Sequence, residues 1–120
     1  MNTAIINRLK EGSVKNVILF GESKTITPPY VILKPETPED ENNDKQNFRI
    51  SIHRNLGENA KCEAYIFTEL PALFNNRTWL EMDGGCKFRL MNSGDWYGPL
   101  LSDEGNTVFY ERIFFAPRRI

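Results

Sequence analysis

One histidine, two cysteines and a run of acidic side chains are the residues of this chain whose chemistry could reach beyond folding. His53 has an ordinary pKa near neutrality, so it could act as a general base in a small enzyme or toxin, helped by nearby arginines. It stands in FRISIHR on the polar side of an alternating pattern, with no serine or cysteine nucleophile arranged by motif around it. It therefore reads as a partly exposed histidine. Zinc would need three or four clustered ligands, which one histidine and the separated Cys62 and Cys86 do not supply. Cys62 falls on an apolar helix face, and the expectation is two reduced, partly buried thiols. Gly84-Gly85 lacks the lysine and hydroxyl of a phosphate-binding loop and reads as a turn. Carboxylates crowd together only in ETPEDENNDKQN, where water surrounds Glu36, Glu39, Asp40, Glu41 and Asp44 and general acid work is disfavoured. The expectation is a chain with no catalytic residue, no metal site and no cofactor.

The element that must position these groups is the stretch 48–74, FRISIHRNLGENAKCEAYIFTELPALF, where two hydrophobic periods meet. Phe48, Ile50 and Ile52 alternate with Arg49, Ser51 and His53, the period of a strand with one apolar face. Asn55 and Gly57 then supply a turn, and the period lengthens. At about 100° per residue, Ala60, Cys62, Ala64, Ile66, Phe67, Leu70, Leu73 and Phe74 share a helix face opposite Glu58, Lys61, Thr68 and Glu69. Glu63 alone is misplaced. Asn59 or Asn55 is expected to cap the first turn, with Glu58 at the positive end of the helix dipole. Pro71 has no N–H for the carbonyl four residues earlier, so the helix should kink near Thr68 or restart at Pro71, and stop at Asn75-Asn76.

A length of 120 residues suits a single domain, 1–120, with a real core. Fifteen Lys and Arg against sixteen Asp and Glu leave a formal charge of -1 and no overall field toward nucleic acid or an anionic membrane. The opening MNTAIINRLKEG is too short an apolar run for a signal peptide, and no stretch of about 20 apolar residues could span a bilayer. A soluble protein made in the cytoplasm is expected. Asn2 to Glu11 reads as a short helix stopped by Gly12. Val14 to Phe20 is either strand or one more helical turn. Pro28-Pro29 leads into a strand at Tyr30 to Leu33, stopped by Pro35. The acidic segment holds no large apolar residue and predicts a mobile loop over 36–47.

Trp79, Leu80 and Met82 form a short strand or turn before Asp83-Gly84-Gly85, and Cys86 to Met91 alternates as a strand. Residues 92–106 read as a long loop whose Trp96, Tyr97, Leu100 and Leu101 either fold back on the domain or present a partner-binding knob. Val108 to Phe115 is a final strand apolar on both faces, with Arg112 on one and Glu111 on the other. Such a strand needs two covers, the helix and, for the second face, another subunit. The sum is an α+β fold. It has a small mixed, mostly antiparallel sheet, the main helix on one face, a short N-terminal helix, and Phe48–His53 paired with Val108–Phe115.

This order of pieces resembles the small tail-terminator or tail-completion proteins of long-tailed bacteriophages, the family that includes the phage lambda tail terminator. In that family a P-Y-V-V strand precedes a strand-helix unit with an Ala-rich helix, and a strand of aromatic and charged residues closes the chain. Pro29-Tyr30-Val31-Ile32, Phe48 to His53, Glu63-Ala64 through Leu73 and Tyr110 to Phe115 are the matching pieces. Pro71 and the length of the acidic loop depart from the pattern. The resemblance implies a structural virion protein whose copies form a ring, usually a hexamer. Such a ring caps the tail tube protein, halts its polymerisation and joins it to the head-tail connector or neck protein. DNA passes through without specific binding, and no membrane is involved. The partner interface expected on this reading draws on Glu36, Glu39, Asp40, Glu41, Asp44, Trp96, Tyr97, Tyr110, Arg112, Arg118 and Arg119. A neck or head-completion protein of the same kind of virion is the near alternative, and a small enzyme or toxin using His53 the distant one.

Overall fold

A computed structural model of the chain describes residues 1–22, 27–36, 45–75 and 77–117. In chain order its elements are α1 (Asn2–Leu9), β1 (Val17–Leu19), β2 (Tyr30–Glu36), β3 (Lys45–Asn55), α2 (59–73), β4 (Leu80–Glu81), β5 (Lys87–Phe88), β6 (Met91–Leu101) and β7 (Thr107–Pro117). Five strands make one sheet in the order β1-β2-β3-β7-β6, with β1 and β2 parallel and the other neighbours antiparallel; β4 and β5 form a separate hairpin. This is the expected α+β architecture, with the expected pairing of the two apolar strands.

The β3–β7 ladder runs from Lys45 opposite Pro117 to Asn55 opposite Thr107. Side chains alternate between faces, so the ladder sorts them. Phe48, Ile50, Ile52, Val108, Tyr110 and Phe114 point to one side with Val31 and Leu33 of β2, and all are buried in a single core. Cys62, Tyr65, Ile66, Leu70 and Phe74 of α2 and its exit close that core from above, together with Ile5 and Leu9 of α1. The stretch 14–20, undecided from sequence, is the short strand β1. β2 does not stop at Pro35 but runs on to Glu36. β1 pairs no further than Leu33, so Pro35 sits where that side of β2 is an edge and a missing N–H is tolerated.

Two sequence expectations about strands need correction. Of residues 92–106, read as loop, 92–101 belong to the outermost strand β6, and only the tip at 102–106 is a turn. The ladder survives the Gly- and Pro-rich sequence through irregularities between Asn92 and Trp96 and between Tyr97 and Leu100. Only glycine fits at position 98: its φ is +145°, and a Cβ there would stand 2.6 Å from the Tyr110 ring. Conversely, Cys86 to Met91 is not one strand: Lys87–Phe88 form β5, Arg89 and Leu90 lie outside any strand, and Met91 opens β6; Phe88 and Leu90 are buried as the alternation implies, whereas Cys86 is exposed. The turn between β4 and β5 has Gly84 and Gly85 at positive φ.

The helix responds to Pro71 in a way that simple periodicity does not foresee. Its first part, Asn59–Ala64, is α-helical, Tyr65–Glu69 widens into a π turn, and Leu70–Leu73 closes as α-helix with the proline near its start. Pro71 has no N–H for the carbonyls behind it, and the carbonyl of Ile66 instead accepts 3.1 Å from Nη1 of Arg112 on β7. The added residue rephases the inward row to Cys62, Ile66, Leu70 and Phe74, with Tyr65 beside it. Phe67, expected in the core, is 43% exposed, and Ala60 and Ala64 are exposed too. The N-terminus begins after Glu58 without any side-chain capping bond, contrary to the expected asparagine cap. At the other end Asn75 does act as a stop, its Nδ2 donating to Ala72 O and its Oδ1 accepting from Arg77 N; Asn76 lies outside the described residues.

Leu70→Ala should cost about 2 to 5 kcal/mol in urea unfolding, because it opens a cavity under the helix. Phe67→Ala should cost about 1 kcal/mol, its main contact being the Trp96 ring 4.8 Å away. A reversed order of the two losses would refute the π-turn phase.

Candidate interface

The sheet face turned away from α1 and α2 carries no helix among the described residues, and here the polar side of FRISIHR is found. Tyr30, His53 and Phe109 are register partners on three adjacent strands. Their rings stack, with centroids 4.7 Å apart on each side of the imidazole and interplanar angles of 11° and 16°. His53 is therefore 9% exposed, not the partly exposed side chain its alternation suggested. Ser51 Oγ lies 2.9 Å from His53 Nε2. Burial pushes the imidazole pKa down to about 4, so it is neutral at pH 7 and a weak base. A Ser–His pair of this kind is not aimed at solvent. Its exposed surface is small, and the two rings occupy the faces of the imidazole.

Beside the stack lies a compact ion network. Arg49 donates from Nε to Glu36 at 2.6 Å and from Nη1 to Glu111 at 2.8 Å, and its guanidinium carbon sits 5.5 Å from the Tyr97 ring centroid. Burial pulls this guanidinium down, but the hydrogen bonds and charges of Glu111 and Glu36 outweigh it and hold it above its ordinary pKa. Cys62, on the helix side, is buried, and desolvation pushes its thiol up to about 11, which leaves almost no thiolate for nucleophilic chemistry. Cys62 and Cys86 are both free. Among the described residues no cluster of three metal-ligating side chains occurs, and no helix is long and apolar enough to cross a membrane.

The residues expected at a partner interface divide into three groups. Trp96 and Tyr97 are exposed on β6 and point to opposite faces, Trp96 against Phe67 and Tyr97 over Arg49. Glu36, Tyr110 and Arg112 are occupied within the chain. Glu36 is paired with Arg49, buried Tyr110 donates its hydroxyl to Glu63 at 2.9 Å, and Arg112 bonds Ile66 O and Asn92 Oδ1. That hydrogen bond also explains Glu63, the one carboxylate on the apolar side of the helix. Glu39, Asp40, Glu41, Asp44, Arg118 and Arg119 lie outside the described residues. Leu100 and Leu101, expected either to fold back or to present a partner-binding knob, are exposed, as are Leu56 and Trp79, which periodicity did not single out as a surface.

The architecture defines an α+β protein with a five-stranded mixed sheet covered on one side. No family model matches the chain, and no curated protein matches it. A solved structure whose name states no function shares the fold, with a TM-score of 0.64 at 14% identity over 99% of this chain and 93% of that one. At that identity the likeness is one of fold alone.

The His53 stack generates a pH dependence with a definite sign. The folded-state pKa of about 4 lies below the ordinary 6.5, so between these values the unfolded chain binds a proton that the folded chain does not. Stability is complete above about pH 6.5 and is lost as pH falls toward 4, by on the order of 3 kcal/mol. Wild type and His53→Leu share every other ionisable group, so comparing them isolates the imidazole. The stability of wild type relative to His53→Leu should fall between pH 7 and pH 4.5. A constant difference would mean that the imidazole is solvated.

Proposed function

We propose that the protein is a ring-forming structural component of a long-tailed phage virion, a tail terminator that ends the tail tube and joins it to the connector. The observation that carries this reading is surface left uncovered by the described chain. The helix-free face presents Phe109, Ile113 and Phe115 half-buried, and β6 exposes Trp96, Tyr97, Leu100 and Leu101 along an outer strand. Single exposed apolar residues are ordinary on a protein surface, whereas a row of them along one strand suits contact with other subunits. The element order that resembles the terminator family points the same way.

The polar groups also suit assembly better than turnover. Arg49 is neutralised by Glu36 and Glu111, and His53 is kept neutral in its stack, so neither projects an unmatched charge into an interface. A terminator works by geometry: repeated copies close around an axis, cover the growing end of the tube and leave no site for the next tube subunit.

Deleting this gene from a phage that carries it should give overlong tails that fail to join heads, and imaging of intact particles should find several copies per virion at the tube end, six being the expected number. Normal tails joined to heads, or one copy per particle, would overturn the reading. Tails of normal length that remain unjoined would assign the chain to the neck instead.

A further inference from the structure

We propose that the helix side of β6 is a seat for an amphipathic helix of a different protein, with an apolar stripe and arginine or lysine on its flanks. Assigning that helix to the tube or the connector rests on the terminator reading above, but the seat itself belongs to the purified protein.

The seat exists because the helix layer is narrower than the sheet. α1 packs on β1 and β2, and α2 on β3 and β7; two helices about 10 Å across cover about four strands spaced roughly 4.8 Å apart. β6 is the fifth. Trp96 lies opposite Arg112 and Leu101 opposite Val108, so both stand on the side of α2. Trp96 is 43% and Leu101 65% exposed, and Phe67 on the near flank of α2 meets the Trp96 ring edge-on. Between Trp96 and Leu101 the surface dips. Gly98 has no side chain there, and a Cβ would stand 2.6 Å from the Tyr110 ring, whose hydroxyl reaches Glu63 on the helix. The result is a saddle roughly 15 Å long at the usual strand rise, the length of about ten helical residues.

No part of this chain covers the saddle. Residues 118–120 lie outside the described set and extend at most roughly 11 Å. Trp96 is roughly 17 Å along the ladder from Pro117, and Leu101 is farther. Residues 37–44, tethered at Glu36 and Lys45, stray at most roughly 16 Å, against roughly 20 Å from Lys45 to Trp96. Residues 23–26 have a reach of roughly 9 Å on the far side of the sheet, where three strand spacings, roughly 14 Å, separate even β2 from β6. Residue 76 sits between described neighbours.

The rim of the saddle is acidic. Glu63 keeps its charge, since its partner is the neutral Tyr110 hydroxyl, and Asp95 and Asp103 are exposed close to Trp96 and Leu101 in sequence. The cations nearby are committed: Lys61 bridges to Glu58 at 3.1 Å, and half-buried Arg112 is turned onto Ile66 O and Asn92 Oδ1. A basic flank on the occupant is therefore favoured and an acidic one repelled. A second copy fits poorly. Saddle against saddle about a two-fold axis would set the same carboxylates against one another. Nor does either helix offer an outward apolar stripe: α1 exposes Thr3 and Asn7, and α2, apart from Phe67 itself, exposes alanines and polar residues. Tyr97 and Leu100, opposite Glu111 and Phe109, face the other side of the sheet and are left to the contacts between copies.

The purified full chain is offered a yeast-displayed library of amphipathic helices about fourteen residues long, with a fixed apolar stripe and flanks that vary among acidic, neutral and basic residues. Selection should enrich lysine and arginine on the flanks. Helices so enriched, made as synthetic peptides, should bind at one site per chain, weaken as salt rises, and lose about tenfold in affinity when the chain carries Trp96→Ser with Leu101→Ser. Glu63→Gln, which keeps an acceptor for the Tyr110 hydroxyl, should cost about threefold and flatten the salt dependence. Circular dichroism checks that each variant is folded. The proposal fails if no helix is enriched, if the enriched flanks are neutral or acidic, or if binding survives the two serine changes in folded protein. It fails also if sedimentation shows wild-type dimers that the serine changes abolish, which would give the saddle to a second copy. None of these outcomes touches the terminator reading, which is judged by copy number and tail length in particles.

Discussion

Everything in this fold depends on the register of β3 on β7. Strand side chains have a period of two, so a slip by one residue would carry Ile50 and Ile52 out of the core and bring Ser51 and His53 in. The slip would also move Arg112 away from the helix. In the observed register Arg112 is opposite Ile50, on the helix side, where an arginine would be a costly occupant without a partner. The partner is the carbonyl of Ile66, which Pro71 leaves without its helical donor. Two local faults, a proline inside a helix and an arginine on the inward face of a strand, thus satisfy each other and pin the helix over the sheet at one point. Arg8 does the same at the end of the helix, donating from Nε to Leu73 O at 2.9 Å and tying α1 to it.

What could be read from the residues follows from how local each signal is. The alternation in FRISIHR is strong and self-contained, and both strands, their pairing and the inward face of β3 were legible, whereas VFYERIFF, apolar on both sides, left its own inward face open. The helix was legible as an element, and so was a disturbance at Pro71, but the form of that disturbance was not. Whether the backbone kinks or widens depends on Arg112, 46 residues away in sequence, being there to take the freed carbonyl. Phe67 was misplaced for that reason alone. His53 was misjudged differently: its side of the strand was correct, but burial came from Tyr30 and Phe109 on neighbouring strands, which no single-strand pattern contains.

The stretch SGDWYGPLLSDEGN misled because its composition is that of a turn. Among the described residues only one side of β6 is paired, and only partly, so residues that would break a central strand are tolerated there. The candidate surface inherited the same difficulty. Trp96 and Tyr97 were recognisable as side chains needing a cover, but assigning them to opposite faces required the register against Arg112 and Glu111. Leu100 and Leu101 were likewise recognisable as side chains that either fold back or present a knob, and both are exposed.

The same irregularities bear on how the protein can associate. A long, flat outer strand with free N–H and C=O groups invites pairing with any other edge, and an assembly that relied on it would be hard to stop. β6 is exposed along most of its length, yet its ladder is interrupted at Asn92–Trp96 and at Tyr97–Leu100, Gly98 takes a backbone conformation foreign to strands, and Pro99 has no N–H to offer. At the other side of the sheet, β1 has three residues. Neither edge offers a regular row of partners. Lateral sheet extension is therefore disfavoured at both margins, and among the described residues apolar side chains remain uncovered along β6 and on the helix-free face. Side-chain contacts of that kind fix one orientation between copies, whereas backbone pairing tolerates register slips, and a closed assembly of defined number requires the first kind.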